Sequence, residues 1–115
     1  AVITTGGNLS ARYAIHTVGP VWHGGQHGEN ELLAEAYKNS LTLATLKGLK
    51  TIAFPSISTG AYGYPIEKAC EIALKTVKEF LEKQDRLDEV VLVLFNQFDL
   101  ETYEKAAKEI FKVVK

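Results

Sequence analysis

Residues 56–65 join an apolar run to a helical pattern through a loop rich in glycine and hydroxyl side chains. Two glycines and three hydroxyl residues make up half of it: Gly60, Gly63, Ser56, Ser58 and Thr59. Glycine lets another group approach the backbone closely, and the N-terminus of a following helix favours negative charge. The loop is therefore suited to bind an anion such as phosphate, although the pattern also fits a tight connector that binds nothing.

The loop differs from the two best-known phosphate motifs. A P-loop needs a lysine next to Ser or Thr, and the dinucleotide fingerprint needs three spaced glycines, and the loop has neither. A nucleoside triphosphatase is therefore disfavoured. Tyr62 and Tyr64 lie among the glycines and could offer a ring face to a sugar or base, but tyrosines on loops also serve in packing.

The sequence positions of the histidines and of the cysteine indicate structural roles. His16 lies within a predicted strand, where a structural hydrogen bond is expected rather than proton transfer. His23 and His27 flank glycines without a third ligand at a recognisable spacing, so neither a zinc site nor a cofactor is predicted. Cys70 lies on the apolar stripe of a helix and is expected to be a packed side chain.

Three stretches are predicted to form helices. Residues 29–47 carry apolar side chains at helical spacing and end before Gly48, which is suited to close a helix. Pro65 is suited to the first position of a second helix, whose apolar stripe follows it. Asp99 is suited to cap a third helix, which carries the last apolar stripe of the chain.

Four short runs predict strands: residues 2–5, 13–18, 51–54 and 89–95. The last two are nearly all apolar, as is typical of strands buried on both faces. Strands alternating with helices predict an α/β fold in which helices cover a largely parallel sheet. Ligands bind beyond the carboxyl ends of such strands, so we expect a site in the loops that follow the third and fourth strands.

The composition narrows the class of protein. The formal net charge of −1 argues against a surface built to neutralise nucleic-acid phosphates. Cys70 is the only cysteine, which rules out an intrachain disulfide and indicates a reducing compartment. No run approaches the roughly 18 apolar residues of a membrane span. We therefore predict a soluble, cytoplasmic protein with no membrane partner.

Two long segments of the chain carry a family resemblance: residues 7–20 (GNLSARYAIHTVGP) and residues 52–65 (IAFPSISTGAYGYP). The first resembles the stretch G-x-N-L-P-A-K-Y-V-I-H-T-V-G-P of the macro domain family, whose members bind ADP-ribose. The second resembles the family loop I-A-F-P-x-I-S-T-G-x-Y-G-Y-P. The resemblance covers essentially the whole chain and is closest to the branch of mono-ADP-ribosyl hydrolases and O-acetyl-ADP-ribose deacetylases.

The resemblance implies a ligand site made of one loop and one strand end. Its residues would be Ser58, Thr59, Gly60, Ala61, Tyr62, Gly63, Phe95 and Asn96. The backbone of residues 58–62 would wrap the pyrophosphate, with Tyr62 against the distal ribose and Gly63 permitting the turn. Phe95 would stack on adenine, with Asn96 beside it at the pocket edge. Without the resemblance, an aromatic residue at a strand end is more often part of the core.

The resemblance also implies that residues 1–115 are the C-terminal portion of a single macro domain. That domain would be a three-layer α/β/α sandwich with a mixed, largely parallel sheet, its N-terminal strands and helices lying outside this chain. The Asn and Asp that position water in the hydrolytic branch belong to those elements, so no catalytic residue is assigned here. The parent domain would hydrolyse ADP-ribosyl esters or O-acetyl-ADP-ribose. The alternatives are a non-catalytic reader of ADP-ribose or poly-ADP-ribose, and a structural remnant.

The expected partners are ADP-ribose or an ADP-ribosylated protein, and further polypeptide. In the family sheet a strand outside this chain lies between the strand ending near Phe54 and the strand around Ile15. Leaving that place empty would expose unpaired N–H and C=O groups on two facing edges. We therefore expect the missing half to come from a longer parent chain or a separate polypeptide, or the edges to be covered by self-association.

Overall fold

The computed structural model describes residues 1–7, 13–84, 86–94 and 96–111, in which strands and helices follow the predicted order. The elements are β1 (Val2–Thr5), β2 (Tyr13–His16), α1 (Glu29–Leu46), β3 (Thr51–Pro55), α2 (Ile66–Lys83), β4 (Glu89–Val93) and α3 (Gln97–Phe111). The predicted α/β class is confirmed. Of the helices in these ranges, none is long and apolar enough to cross a membrane.

Helix α1 ends at the predicted glycine. Gly48 has a φ of 78°, in the left-handed region that glycine adopts without a steric penalty. Its N–H donates to the Thr45 carbonyl, and the Leu49 N–H donates to the Ala44 carbonyl, both at 3.0 Å. These two bonds form a Schellman cap, which satisfies carbonyls at the end of the helix. The chain therefore turns sharply and enters β3 three residues later.

The other two helices begin one or more residues from the predicted positions. Pro65 stands just before α2, and its carbonyl accepts the N–H of Ala69 at 2.9 Å. The cap predicted for α3 is wrong, because Asn96 and not Asp99 fills this role. The Asn96 side-chain oxygen accepts the Asp99 N–H at 2.8 Å, and α3 begins at Gln97. Asn and Asp are both good capping residues, and the earlier of the two adds another turn to the helix.

The strands form two separate pairs within the described residues. Strands β1 and β2 are antiparallel, with Ile3 opposite Ile15, whereas β3 and β4 are parallel, with Phe54 opposite Leu92. A groove of about 1040 Å³ lies between the two pairs, and both β2 and β3 line it. Each pair thus turns one edge towards the same groove.

All three helices share one core with a single face of the β3–β4 pair. Ile52 and Phe54 lie on this face opposite Val90 and Leu92, and the Phe54 ring packs 5.0 Å from the Tyr37 ring of α1. Helix α2 contributes its buried apolar side chains to this core, and α3 contributes Tyr103. The helices therefore hold the carboxyl ends of β3 and β4 in place by packing against one face of the pair.

The opposite face of the β3–β4 pair is open. Val91 and Val93 of β4 are 40% and 49% exposed, and Ala53 of β3 is exposed beside them. The prediction that these strands are buried on both faces is therefore wrong for this chain. Nothing in the described part of the chain packs over this apolar face, which borders the groove at Ala53 and Val91.

Candidate functional site

Two tyrosine hydroxyls hold the chain where it leaves β3. The Tyr37 hydroxyl of α1 donates to the Pro55 carbonyl at 3.5 Å and accepts the Ile57 N–H at 3.2 Å. The Tyr103 hydroxyl of α3 lies 2.9 Å from the Ser56 hydroxyl. Burial raises the pKa of Tyr37 and of Tyr103, so both hydroxyls stay protonated. The first residues of the loop are thus fixed by helices on two sides.

The next five residues of the loop leave their backbone donors unused. Within the described residues, the N–H groups of Ser58, Thr59, Gly60, Ala61 and Tyr62 make no hydrogen bond. The loop is closed instead by the Gly63 N–H, bonded to the Gly60 carbonyl, and by the Tyr64 N–H, bonded to the Ser58 carbonyl. It runs directly into α2, whose N-terminus has no side-chain cap. Free N–H groups beside an uncapped helix N-terminus can bind an anion.

Ser58 adopts an unusual conformation in the middle of this loop. Its φ of 69° makes it the one non-glycine residue with positive φ in the described ranges. Its hydroxyl is buried there without a hydrogen-bond partner. Gly19 lies directly behind it, since a Cβ at Gly19 would overlap Ser58 Oγ and Ile57 Cγ2. Strained backbone of this kind costs about 1 kcal/mol or more and often accompanies functional loops.

The two loop tyrosines have different surroundings. Tyr62 is 41% exposed and can offer a ring face to a ligand. Tyr64 is buried, packs 4.7 Å from the Trp22 ring and donates its hydroxyl to the Asn30 side chain. The suggestion that Tyr64 could face a sugar or base is therefore wrong, because its ring is part of the core.

The second part of the predicted site follows β4. Phe95 lies outside the described residues. Asn96 is exposed at the carboxyl end of β4, next to the end of β3 from which the loop leaves. Its amide bonds Asp99 through both of its polar atoms, with Nδ2 donating to Asp99 Oδ2 at 3.3 Å. A ligand at this edge would meet an amide that already caps α3.

A glycine-rich segment, residues 22–28, is folded around one buried carboxylate. Glu29 is 1% exposed and accepts the backbone N–H groups of His23 and His27 at 2.7 Å each and of Gly25 at 3.0 Å. Burial raises the pKa of Glu29, but these donors outweigh burial and lower its pKa to about 2. The carboxylate therefore stays ionised and keeps the segment closed.

Among the described residues, no hydrogen bond joins a histidine or cysteine side chain to residues 56–65. His16 Nε2 is 2.9 Å from the Thr4 hydroxyl across the β1–β2 pair, the structural bond that was predicted. The rings of His23 and His27 are 6.0 Å apart, and no group of three potential metal ligands occurs among the described residues. Cys70 is buried in the core as predicted, and burial raises the pKa of its thiol.

Four residues that shape the site lacked a signal in the sequence. Tyr37 and Tyr103 belong to apolar helical stripes that predict burial. Such a stripe does not reveal which backbone or side-chain groups the tyrosine hydroxyl contacts. Trp22 is in a segment predicted only as an irregular loop. Glu29 begins a helix, where acidic residues are common, and only the spatial arrangement shows its three backbone donors.

Comparison with known proteins identifies the family. Residues 1–73 match the macro domain family, and the chain belongs to it. A macro domain-containing protein of Caldanaerobacter subterraneus is 56% identical over 112 residues, covering 97% of this chain and 63% of that protein. An O-acetyl-ADP-ribose deacetylase of Klebsiella pneumoniae is 56% identical over 97 residues, covering 84% of this chain and 55% of that protein. The chain thus spans less than two thirds of the length of these relatives.

Solved structures show the same fold. The Oceanobacillus iheyensis macrodomain with ADP has a TM-score of 0.93 and 44% identity, covering 98% of this chain and 59% of that one. The Trypanosoma brucei macrodomain in complex with ADP-ribose has a TM-score of 0.83 and 40% identity, covering 90% of this chain and 43% of that one. The predicted macro domain fold is therefore confirmed.

The environment of Glu29 predicts a loss of stability in acid. Its pKa lies near 2 in the folded chain, below its ordinary value of 4.5, so its contribution is complete above about pH 4.5 and disappears as the pH falls towards 2. We expect Glu29→Gln to lower the free energy of unfolding at pH 7 and to flatten its decline over this range. Urea unfolding at several pH values measures both. The exposed Glu31→Gln serves as control, and an unchanged slope in Glu29→Gln would contradict the assignment.

Proposed function

We propose that this chain binds ADP-ribose through the backbone of residues 58–62. The observation that carries the proposal is a run of five N–H groups that make no hydrogen bond to any described residue, just before the N-terminus of α2, which has no side-chain cap. Diphosphate oxygens accept hydrogen bonds, so they match a set of backbone donors beside a helix N-terminus. The solved macrodomains with ADP and with ADP-ribose support this ligand class.

The remaining predicted contacts complete the proposed mode of binding. Exposed Tyr62 is the aromatic ring that we place against the distal ribose, and Gly63, with a φ of 73°, allows the chain to turn beneath it. Asn96 lies at the carboxyl end of the neighbouring strand, and Phe95 before it is the proposed partner of the adenine ring. The ligand would thus extend across the ends of β3 and β4, where α/β proteins commonly bind nucleotides.

A charge placed at Gly60 tests the phosphate assignment. A Cβ at Gly60 would meet no atom within 4 Å, so the first atom of a new side chain has room there. We expect Gly60→Glu to weaken ADP-ribose binding at least tenfold, because like charges about 4 Å apart repel by several kcal/mol in a protein environment. Calorimetric titration of the full chain measures the affinity, with AMP and ribose 5-phosphate as comparison ligands.

Gly60→Gln is the matched control, since it has the size of Glu without the charge. It should bind ADP-ribose considerably more tightly than Gly60→Glu. Equal affinity in the two variants would show that no phosphate lies beside Gly60. Failure of the unchanged chain to bind ADP-ribose would reject the proposed function itself.

We further propose that the protein containing this chain hydrolyses ADP-ribosyl esters such as O-acetyl-ADP-ribose. The similarity to O-acetyl-ADP-ribose deacetylases supports this activity. Residues 56–65 contain no Asp, Glu, His or Lys, so the loop itself offers orientation and electrostatic stabilisation and no obvious general base. The same feature favours the second candidate, a reader that binds ADP-ribosylated protein without turnover.

Acetate release separates the two functions. We expect the protein containing this chain to release acetate from O-acetyl-ADP-ribose faster than the buffer does, and Gly60→Glu in that protein to reduce the rate together with the affinity. Enzymatic detection of acetate provides the measurement, with heat-denatured chain as control. Tight binding of ADP-ribose without acetate release would favour the reader.

We propose that residues 1–115 form the C-terminal portion of a single macro domain and that further polypeptide fills the groove between β2 and β3. The support is threefold: both pairs turn an edge to the groove, Val91 and Val93 leave the adjoining face apolar and open, and the relatives are longer than this chain. A parallel pair is ordinarily covered on both faces. A strand in the groove would join the two pairs into one mixed sheet.

Hydrogen exchange tests whether the groove is filled in the native protein. About half of the backbone amides in β2 and in β3 face the groove, because successive amides of a strand point to opposite sides. We expect these amides to be as protected as those that pair within β1–β2 and β3–β4. Fast exchange confined to the groove side would contradict the proposal. Sedimentation of the native protein measures its oligomeric state. It therefore distinguishes a groove filled by self-association from a groove filled by another part of the same polypeptide.

The proposed location is the cytoplasm. Cys70 is the only cysteine of the chain and is buried, so the described fold needs no oxidising compartment for a disulfide. Nucleotide ligands of the proposed class are consistent with that location.

A further inference from the structure

The segment of residues 22–28 packs against the ligand loop, although the proposed function gives it no task. The Trp22 N–H donates to the Tyr62 carbonyl at 2.9 Å. The Trp22 ring packs at 4.7 Å on the Tyr64 ring, and it approaches Gly25 so closely that a Cβ there would lie 2.8 Å from the ring. Trp22 is therefore held between the two loops and contacts the ligand loop through both backbone and ring.

The position of Trp22 depends on how its own segment is folded. Gly24, Gly25 and Gly28 have φ values of 94°, 87° and 77°, which glycine adopts without a steric penalty, but fixing three glycines costs conformational entropy. One side chain offsets this cost, because the Glu29 carboxylate accepts three backbone N–H groups of the segment. Removing the acceptor would leave these part-buried donors without their partner and release the segment.

The ligand loop relies on the same helix end for a second contact. Tyr64 donates its hydroxyl to Asn30, the residue after Glu29. Tyr64 also closes the loop, because its N–H bonds the Ser58 carbonyl at 2.9 Å. The free N–H groups of residues 58–62 lie between these fixed points. Their direction is therefore set at one end by Tyr37 and Tyr103 and at the other by Trp22 and Tyr64.

We propose that Glu29 is a positioning residue for the ligand site: its carboxylate folds residues 22–28 so that Trp22 clamps Tyr62 and Tyr64 and holds the loop in its binding geometry. This inference rests on the proposed binding of ADP-ribose at residues 58–62. Glu29 does not touch the ligand. It acts through Trp22, and the free N–H groups converge on the diphosphate only while this clamp is closed.

Substitution at Glu29 tests the proposal with readouts that report on the clamp itself. Glu29→Gln keeps the size of the side chain but turns an N–H group towards a backbone donor. We expect at least tenfold weaker binding of ADP-ribose, faster hydrogen exchange at the Tyr64 amide, and a red shift of the fluorescence of Trp22, the only tryptophan of the chain. Glu31→Gln, exposed in the same helical turn, should change none of the three.

A stability control separates positioning from general loosening. Val77 is buried in α2 about three turns beyond its N-terminus, so Val77→Ala destabilises the core at a distance from the clamp. We expect Val77→Ala to retain the affinity for ADP-ribose and the Trp22 emission at a temperature where it is folded. Trp22→Leu keeps the Glu29 acceptor but removes the ring, and it should weaken binding as Glu29→Gln does. It decides the matter even where Glu29→Gln does not fold.

The outcomes separate this inference from the proposed function. Binding within twofold of the unchanged chain in both Glu29→Gln and Trp22→Leu would overturn the inference and leave the proposed function standing. Absence of binding by the unchanged chain would reject the proposed function. In that case the Tyr64 exchange rate and the Trp22 emission still decide whether Glu29 holds the clamp, and unchanged values in Glu29→Gln would overturn it.

Discussion

The backbone that leaves β3 must find hydrogen-bond partners at the point where the ladder with β4 ends. Pro55 and Ile57 find them in one side chain, the hydroxyl of Tyr37, which accepts from one and donates to the other. An unpaired buried amide or carbonyl costs as much as a lost hydrogen bond, so this arrangement restricts the path of the loop. Beyond Ile57, the N–H groups of residues 58–62 have no partner among the described residues.

The same hydroxyl connects the fold to the site. Tyr37 also packs its ring on Phe54, so the helix that forms the core with β3 is the helix that anchors the loop beyond it. Tyr103 repeats this arrangement from α3 through Ser56. A loop held by helices on one side and by the Trp22 contact on the other is preorganised, which would reduce the entropic cost of binding the proposed ligand.

The sequence contained enough to predict the order of the elements, the α/β class, the closure of α1 at Gly48 and the place of the loop. These features depend on local periodicity and on residue types with strong backbone preferences. The bonds of Glu29, the buried position of Tyr64 and the choice of Asn96 as cap depend on atoms brought together from separate segments. The prediction that β4 is buried on both faces failed at Val91 for a related reason. An apolar run shows that a strand is suited to burial, but it does not show whether another element covers it.

The parallel pairing of β3 with β4 has a consequence for the order of folding. Thr51 pairs with Glu89 across the whole of α2, and the ligand loop lies inside the stretch of chain that this pairing closes. Contacts between distant residues form late, because the entropy of closing the intervening chain must be overcome first. During synthesis, the edge of β3 that pairs with β4 has no partner until β4 has left the ribosome. The hydrogen bonds of α1 and of its glycine cap are local, so this helix can begin to form before the loop has its final shape.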